Sequence, residues 1–260
     1  MKLQWYGTAS ISIDTNNEKI LFDPFIPFKE SNINIKLEDF LGYDKIFITH
    51  GHFDHIGSLE LISKNQNLKI YCTQTPYNTL ITKGISKEKL IKIKPGDIYT
   101  FGDENNSIQI KVYQGKHIDY DKLVIGKILL TPRTYKYVKN ALFINKENKR
   151  CPENNETVIY QICVEKKNII IMGSLGLDKN TSYPINCDLL FLPYQGNKKL
   201  FEIAQNILNV LEPKQIVLTH YDDTFPPISK NVDTSLIENL YADRIKRGKY
   251  KEIIKFKEEL

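Results

Sequence analysis

Long apolar runs and paired cysteines are both missing from this 260-residue chain. No apolar run approaches the roughly 20 residues needed to span a bilayer, and the first residues, MKLQWYGTAS, lack the apolar core of a signal peptide. The sequence therefore predicts a cytoplasmic protein without a membrane span. The cysteines, none of them in a C-x-x-C pair, are Cys72, Cys151, Cys163 and Cys187. This spacing excludes a zinc knuckle and a dithiol redox motif, and we expect reduced thiols.

A strong excess of charge is missing as well. The formal net charge is +5, which is too small to indicate a nucleic-acid partner by itself. Basic residues gather near the C-terminus in RIKRGKYKEIIKFK, and we interpret this run as a solvated helix face. No linker divides the chain, so one domain over residues 1–260 is expected. Nothing in the sequence indicates an oligomeric state.

Alternation of apolar and polar residues predicts strands and helices in two comparable halves. Residues 2–24 are expected to form a β-hairpin that turns at Asn16 and Asn17. Further strands are predicted for YDKIFIT, LKIYCT, IQIKVYQGKH, TVIYQICVEKKNIIIMG (a hairpin), CDLLFLPY and KQIVLTH, and helices for SLELISKNQ, PYNTLITKG and KKLFEIAQNILNVL. This order predicts two sheets packed face to face with helices outside. Residues 118–156 have weak periodicity and are treated as an insertion.

Histidine is scarce too, with five in the whole chain. Three of them stand beside an aspartate in FITHGHFDHIG, residues 47–57, and each of the other two ends a predicted strand. A lone histidine is usually a satisfied core or surface residue, and a single H-x-H is a weak signal. The concentration of all five at such positions favours a metal site instead. The candidate ligands are His50, His52, Asp54, His55, His117 and His220.

The spacing inside the cluster suggests two neighbouring metal positions. His50 and His52 are two residues apart and can bind one cation, while Asp54 and His55 face a second position. Imidazole and carboxylate ligands suit zinc best among the common metals, and they also accept manganese, iron or nickel. We therefore predict one or two Zn²⁺ ions, with Mn²⁺, Fe²⁺ or Ni²⁺ as alternatives.

The pattern H-x-H-x-D-H after a strand, with a histidine some sixty residues later and another near the C-terminus, resembles the metallo-β-lactamase superfamily. The opening LQWYGTASISIDTNNEKILFDPF is similar to the branch containing ascorbate-6-phosphate lactonase and phospholipid phosphodiesterases. The resemblance implies an α/β fold, the αββα four-layer sandwich with two mixed β-sheets and helices on the outer faces. It also implies that His50, His52 and His117 hold a first metal, and that Asp54, His55 and His220 hold a second.

Two positions depart from the pattern of that family. The family has an aspartate that bridges both metals in G-D-T or G-D-S, whereas this chain has Ser174 after Gly173. A neutral hydroxyl is a poorer bridge than a carboxylate, so the two cations would repel each other more strongly. Asp178, four residues further on, is an alternative bridge if the loop is rebuilt. Thr8 also replaces a histidine that the family often has in WYGTAS.

These residues predict a metal-dependent hydrolase of an ester, lactone or phosphodiester that uses metal-activated water. The alternative is a catalytically weak or silent binding protein, because the bridging aspartate is replaced by Ser174. A di-iron oxidoreductase ranks low, since glutamate would be expected at position 52 and no flavin domain follows. Asp54 is interpreted as a second-metal ligand or as the general base. Asp23 either supports a ligand histidine or merely ends a strand before Pro24.

The insertion 118–156 follows His117 and should emerge beside the site. Its side chains suit an anionic, phosphorylated small molecule as substrate, with charge-assisted bonds and stacking. A solvated surface insertion is the alternative, and nucleic acid is not the expected ligand. The residues concerned are Lys122, Lys127, Arg133, Lys136, Lys139, Lys146, Lys149, Arg150, Tyr120, Tyr135 and Tyr137.

Overall fold

A computed structural model describes residues 1–103, 107–119 and 131–256, and in it two β-sheets pack face to face. The first sheet has the strand order β1 to β6: β1 Lys2–Trp5, β2 Ile11–Asp14, β3 Lys19–Phe22, β4 Lys45–Phe47, β5 Lys69–Cys72 and β6 Leu90–Lys92. The second sheet runs from β13 back to β7: β7 Ile98–Phe101, β8 Ile108–Gln114, β9 Val158–Val164, β10 Lys167–Met172, β11 Leu189–Pro193, β12 Ile216–Thr219 and β13 Ile245–Arg247.

Helices cover the outer faces of both sheets. They are α1 Phe53–Ile56, α2 Leu59–Asn65, α3 Gln74–Thr82, α4 Pro132–Lys136, α5 Val138–Arg150, α6 Leu200–Leu211 and α7 Ser235–Leu240, with 3-10 turns at Leu37–Phe40 and Lys87–Lys89. None of these described helices is long and apolar enough to cross a bilayer. The predicted αββα four-layer sandwich is confirmed.

Both sheets are mixed in the same way. In the first sheet β1, β2 and β3 are antiparallel and β3 to β6 are parallel. In the second sheet β7 to β10 are antiparallel and β10 to β13 are parallel. The two predicted halves of the chain therefore correspond to the two sheets. In sheets of this kind, functional side chains gather where strands end.

The largest hydrophobic core fills the space between the sheets. Phe22 and Phe47 of the first sheet each place their ring centroid 5.5 Å from that of Tyr160 in the second. The Tyr160 hydroxyl donates to the Ile48 carbonyl at 2.5 Å, so this buried polar atom has a partner. This contact fixes the end of β4 against the second sheet, directly before the histidine cluster.

Three sequence-based predictions of elements were wrong. The N-terminal segment forms three strands instead of two, because Gly7 and Thr8 both take positive φ angles, 97° and 47°, and turn the chain after β1. The insertion, for which the weak periodicity predicted no helix, contains α4 and α5. The C-terminal basic run was expected to be a helix face, but it contains β13 at the edge of the second sheet.

Candidate metal centre

The six candidate ligands come from the C-terminal ends of three strands. His50 and His52 follow β4, and Asp54 and His55 lie in the short helix α1, which begins at Phe53. His117 follows β8 and His220 follows β12. All six side chains line one cavity between the sheets, at the same edge of the sandwich.

The first group consists of three imidazoles, and we call it the first triad. The candidate ligand atoms of His50, His52 and His117 all lie within 4.8 Å of one another. The His50 Nε2 is 3.1 Å from the His52 Nδ1. The His117 Nδ1 lies 2.8 Å from the Ile118 carbonyl oxygen, which fits a proton on Nδ1 and leaves Nε2 as the ligand atom.

The second group combines a carboxylate with two imidazoles, and we call it the second triad. The candidate ligand atoms of Asp54, His55 and His220 also lie within 4.8 Å of one another. The His220 Nε2 is 3.0 Å from the Asp54 Oδ2, and the His55 Nε2 is 3.7 Å from the same oxygen. The two triads are neighbours, since the ring centroids of His50 and His55 are 3.9 Å apart.

Asp23 and Thr49 contact one histidine of each triad, His55 and His50. The Asp23 carboxylate accepts hydrogen bonds from the Thr49 backbone N–H at 2.8 Å and from the Thr49 hydroxyl at 2.6 Å. Its Oδ2 is also 2.9 Å from the His55 Nδ1. The Thr49 Oγ1 lies 3.2 Å from the His50 Nδ1. Asp23 therefore contacts one imidazole directly and another through Thr49.

Burial keeps the first triad uncharged. It lowers the pKa of His52 to about 3, and the neighbouring His117 adds to this effect. Burial also lowers the pKa of His50 well below its usual value, with a further contribution from His55, and it lowers the pKa of His117. Neutral imidazole is the form that binds a metal ion.

The second triad carries charge. Burial lowers the pKa of His55, but the carboxylates of Asp23 and Asp54 raise it more, so the net shift is upward. Burial likewise opposes ionisation of Asp54, yet the charge of His55 and the hydrogen bond from His220 hold the pKa of this carboxyl well below its usual range. A metal ion at this position would therefore compete with the proton that makes His55 cationic beside Asp23 and Asp54.

Ser174 lies in the wall of the cavity, where its hydroxyl accepts a hydrogen bond from the Ile118 backbone N–H at 3.0 Å. It thus steadies the backbone next to His117. Asp178 does not line the cavity, because its Oδ2 accepts from the Asn180 backbone N–H and from the Thr181 hydroxyl, both at 2.9 Å. The alternative in which Asp178 bridges the metals is therefore wrong for this structure.

Thr8 acts through its backbone. Its carbonyl oxygen accepts from the His220 N–H at 2.9 Å, and its own N–H donates to the Asp222 Oδ2 at 2.9 Å. The Thr8 side chain is buried and does not line the cavity, so it makes no contact there in place of the expected histidine. Burial raises the pKa of Asp222, although the nearby His220 partly offsets this. Asp222 was not predicted from the sequence.

The cavity has a volume of about 120 Å³, and apart from the triads its walls are mostly apolar. The apolar side chains are Phe53, Ile118, Ile144, Leu175, Pro193, Phe225 and Ile228. None of the described basic residues of the insertion lines it; these are Arg133, Lys136, Lys139, Lys146, Lys149 and Arg150. Tyr120, Lys122 and Lys127 lie outside the described residues. The predicted basic wall is thus not found in the described part of the chain.

The insertion instead contributes apolar and amide side chains to the site. Ile144 and Asn148 of α5 line the cavity, and the Asn148 Oδ1 accepts from the Phe53 backbone N–H at 3.0 Å. This bond satisfies a free N–H in the first turn of α1. At the end of α5, the Cys151 Sγ would lie 2.1 Å from a Cβ added at Gly51, so only glycine fits between His50 and His52. No sequence pattern pointed to these contacts.

The donor set fits divalent transition metals. Each triad offers three protein ligands, which is the number found in catalytic zinc sites that keep a position for water or substrate. The comparison with known proteins agrees, because a model of the metallo-β-lactamase superfamily matches residues 3–116. Over that part, the chain is similar to the metallo-β-lactamase superfamily.

Proteins named metal-dependent hydrolases match over almost the whole length. The chain is 28% identical over 252 residues to the metal-dependent hydrolase YtkL of Bacillus subtilis (strain 168), covering 95% of this chain and 94% of that protein. It is also 28% identical over 231 residues to a metal-dependent hydrolase of Pyrobaculum islandicum, covering 89% and 88%.

Solved structures of two hydrolases share the fold. Igni18, a metallo hydrolase from the archaeon Ignicoccus hospitalis, superposes with a TM-score of 0.63 at 19% identity over 99% of both chains. An isothiocyanate hydrolase from Delia radicum gut bacteria gives 0.60 at 15% identity, covering 98% of this chain and 99% of the other. At these identities the likeness concerns the fold alone.

Proposed function

We propose that this chain is a metal-dependent hydrolase that cleaves an ester, a lactone or a phosphodiester of a small molecule. The observation that carries the proposal is the pair of ligand triads side by side in one apolar cavity. All five histidines of the chain take part in the two triads. The similarity to proteins named metal-dependent hydrolases supports the same reaction class.

In this proposal His50, His52 and His117 hold the first metal, and Asp54, His55 and His220 hold the second. Zn²⁺ is the first candidate, with Mn²⁺, Fe²⁺ and Ni²⁺ as alternatives for the same ligands. Bound divalent metal would supply a Lewis acid and an activated water. Asp23 fixes the His55 ring with its Nδ1 toward the carboxylate, so that Nε2 faces the second position.

The remaining roles belong to the side chains around the triads. Asp54 is more useful as a ligand than as a general base, since its lowered pKa makes it a weak proton acceptor. Phe53, Ile144 and Phe225 exclude water from the walls, which strengthens electrostatic interactions inside the cavity. A cavity of about 120 Å³ has room for the reacting group of a substrate.

A metal-binding protein without turnover is the second candidate function. It is favoured by one observation, the use of the Ser174 hydroxyl as an acceptor for the Ile118 N–H. A group so engaged contributes no negative charge between two cations. We also propose a cytoplasmic location, which suits the four free cysteines.

Elemental analysis of purified protein, followed by chromogenic substrates, separates these functions. We expect at least one metal ion per chain and hydrolysis of p-nitrophenyl esters, lactones or bis(p-nitrophenyl) phosphate. A chelator should abolish the activity, and zinc should restore it. Bound metal without hydrolysis of any ester, lactone or phosphodiester would support the silent binding protein. Absence of metal after incubation with zinc, manganese and iron would refute both.

A further inference from the structure

Positive charge is concentrated on the helical segment beside the cavity. Residues 131–150 contain six basic residues and one acidic residue, Glu147, a net charge of +5. This equals the formal charge of the whole chain, so the rest of the chain is neutral overall. Glu147 is buried and pairs with Lys83 and Arg150. No exposed acidic side chain interrupts the positive surface of this segment.

The same surface exposes large apolar side chains. Tyr135 is 75% exposed, Val138 47% and Leu142 64%. Val138 and Leu142 lie one turn apart and are exposed, whereas Ile144 and Asn148 of the same helix line the cavity. Exposed lysines of the same helix flank them. We call this surface the basic–apolar face and define it by Tyr135, Val138, Lys139, Leu142, Lys146 and Lys149.

The basic run near the C-terminus differs from the basic–apolar face, because two of its basic side chains have acidic partners. In the C-terminal run Arg247 lies 3.7 Å from a Glu238 oxygen, and Lys251 lies 2.8 Å from an Asp39 oxygen. The three lysines of the basic–apolar face have no acidic partner within 4.0 Å among residues 1–103, 107–119 and 131–256. Their charge is therefore available to an external anion.

We propose that the basic–apolar face docks on an anionic lipid bilayer. Helices that mix exposed Leu, Val and Tyr with lysine lie in the interface, with apolar side chains among the acyl chains and ammonium groups at anionic headgroups. A second copy of the chain fits poorly, because an isologous contact would bring the same lysines together. A nucleic acid would use the lysines but gain little from Val138 and Leu142.

Docking in this orientation sets the position of the cavity. Ile144 and Asn148 of α5 line the cavity, and Asn148 is bonded to the Phe53 N–H beside the second triad. The metal centre would therefore lie one helix diameter, about 10 Å, from the lipid headgroups. The docking proposal concerns binding alone and stands whether or not the chain is a hydrolase.

Co-sedimentation of the full chain with vesicles tests the proposal. We expect binding to phosphatidylcholine vesicles that contain phosphatidylglycerol, no binding to pure phosphatidylcholine, and weakening by salt. The pair Lys139→Glu/Lys146→Glu should lower the bound fraction about tenfold or more. The pair Lys246→Glu/Lys249→Glu makes the same change in formal charge in the C-terminal run and should bind as the natural chain does. Val138→Ser/Leu142→Ser should weaken binding with all charges intact.

Several outcomes would overturn the proposal. They are no binding to anionic vesicles at low salt, equal loss in both lysine pairs, and binding to duplex DNA or RNA without binding to vesicles. Circular dichroism and thermal unfolding verify that each variant folds. If the glutamate pair destabilises α5, Lys139→Gln/Lys146→Gln provides the same comparison with a smaller expected loss.

Discussion

The two triads differ in what a metal ion must displace. His50, His52 and His117 are neutral imidazoles whose protonation is suppressed by burial. The second triad already holds an internal electrostatic arrangement, in which Asp54 is bound by His220 and flanked by His55. A cation enters the first triad without displacing protons, whereas at the second it competes with them. The structure thus predicts a strong site beside a weaker one, and the absence of a carboxylate at Ser174 increases the difference.

The largest expected effect comes from removing one ligand from each triad in turn. His52→Ala should eliminate the first metal and lower kcat/KM for any hydrolysis about a thousandfold, because a metal ion supplies several kcal/mol to the transition state. His220→Ala should cost less, since the first triad stays intact. Metal content per chain and kcat/KM are the measurements. A larger loss for His220→Ala would reverse the proposed ranking of the triads.

The next largest expected effect is on zinc affinity, when the Asp23 carboxylate is replaced by an amide. In Asp23→Asn an amide would face the Thr49 hydroxyl and the His55 Nδ1, which both lose an anionic acceptor. We expect zinc affinity to fall about 10–100-fold, mainly at the second triad. Competition with a chromophoric chelator measures this. Asp188→Asn, which alters a carboxylate paired with Lys214 far along the second sheet, is the control and should leave the affinity unchanged.

Ser174→Asp should reduce the difference in metal occupancy between the two triads. A carboxylate here offsets the repulsion of two cations, so occupancy of the second triad should rise toward one ion. Free metal at about 100 times its Kd would then add about 2.7 kcal/mol of stability. Ser174→Asn is the matched control, because it has nearly the same size without the charge. If the two variants bind equal amounts of zinc, Ser174 does not lie between the metals.

The effect that is smallest at neutral pH is the pH dependence of the stability of the metal-free protein. The unfolded chain takes up a proton at His52 near pH 6.5, while the folded chain does so only near its pKa of about 3. Stability should therefore fall as the pH drops between these values, by up to about 1.4 kcal/mol per pH unit for each such histidine. His55 acts in the opposite direction, because its raised pKa stabilises the fold below pH 6.5.

Urea unfolding at several pH values, with a chelator present, measures this slope. His52→Gln should make the acid side of the profile shallower, since glutamine does not titrate. An unchanged slope in this variant would mean that the folded His52 takes up protons as readily as the unfolded one.

Strand pattern and ligand positions followed from the sequence because both depend on short-range regularities. Val, Ile, Leu and Phe alternate or cluster in the strands. The strand IVLT ends directly before His220, and β8 ends at Gln114, three residues before His117. The first β-hairpin was predicted with one turn too few, since the φ angles of Gly7 and Thr8 are fixed by contacts with His220 and Asp222. Those contacts join residues more than 200 positions apart.

The residues of α5 that line the cavity could not be predicted either, because their placement also depends on contacts between distant parts of the chain. The sequence 131–150 is rich in lysine and has no clear apolar stripe, so its helix could not be assigned from periodicity. Asn148 and Ile144 reach the cavity only because α5 packs across α1. The basic side chains, which suggested an anionic substrate, face outward instead. The placement of a charged side chain depends on packing at long range.

Trp5 is the only tryptophan of the chain, and its position gives the protein an intrinsic optical probe. The indole is buried, stacks on Tyr250 with ring centroids 4.8 Å apart, and donates its N–H to the Thr8 carbonyl at 2.8 Å. That carbonyl also accepts the backbone N–H of His220. A shift of His220 when its ring binds an ion alters this shared acceptor and hence the emission of the indole. Occupation of the second triad can therefore be followed by intrinsic fluorescence, without a label.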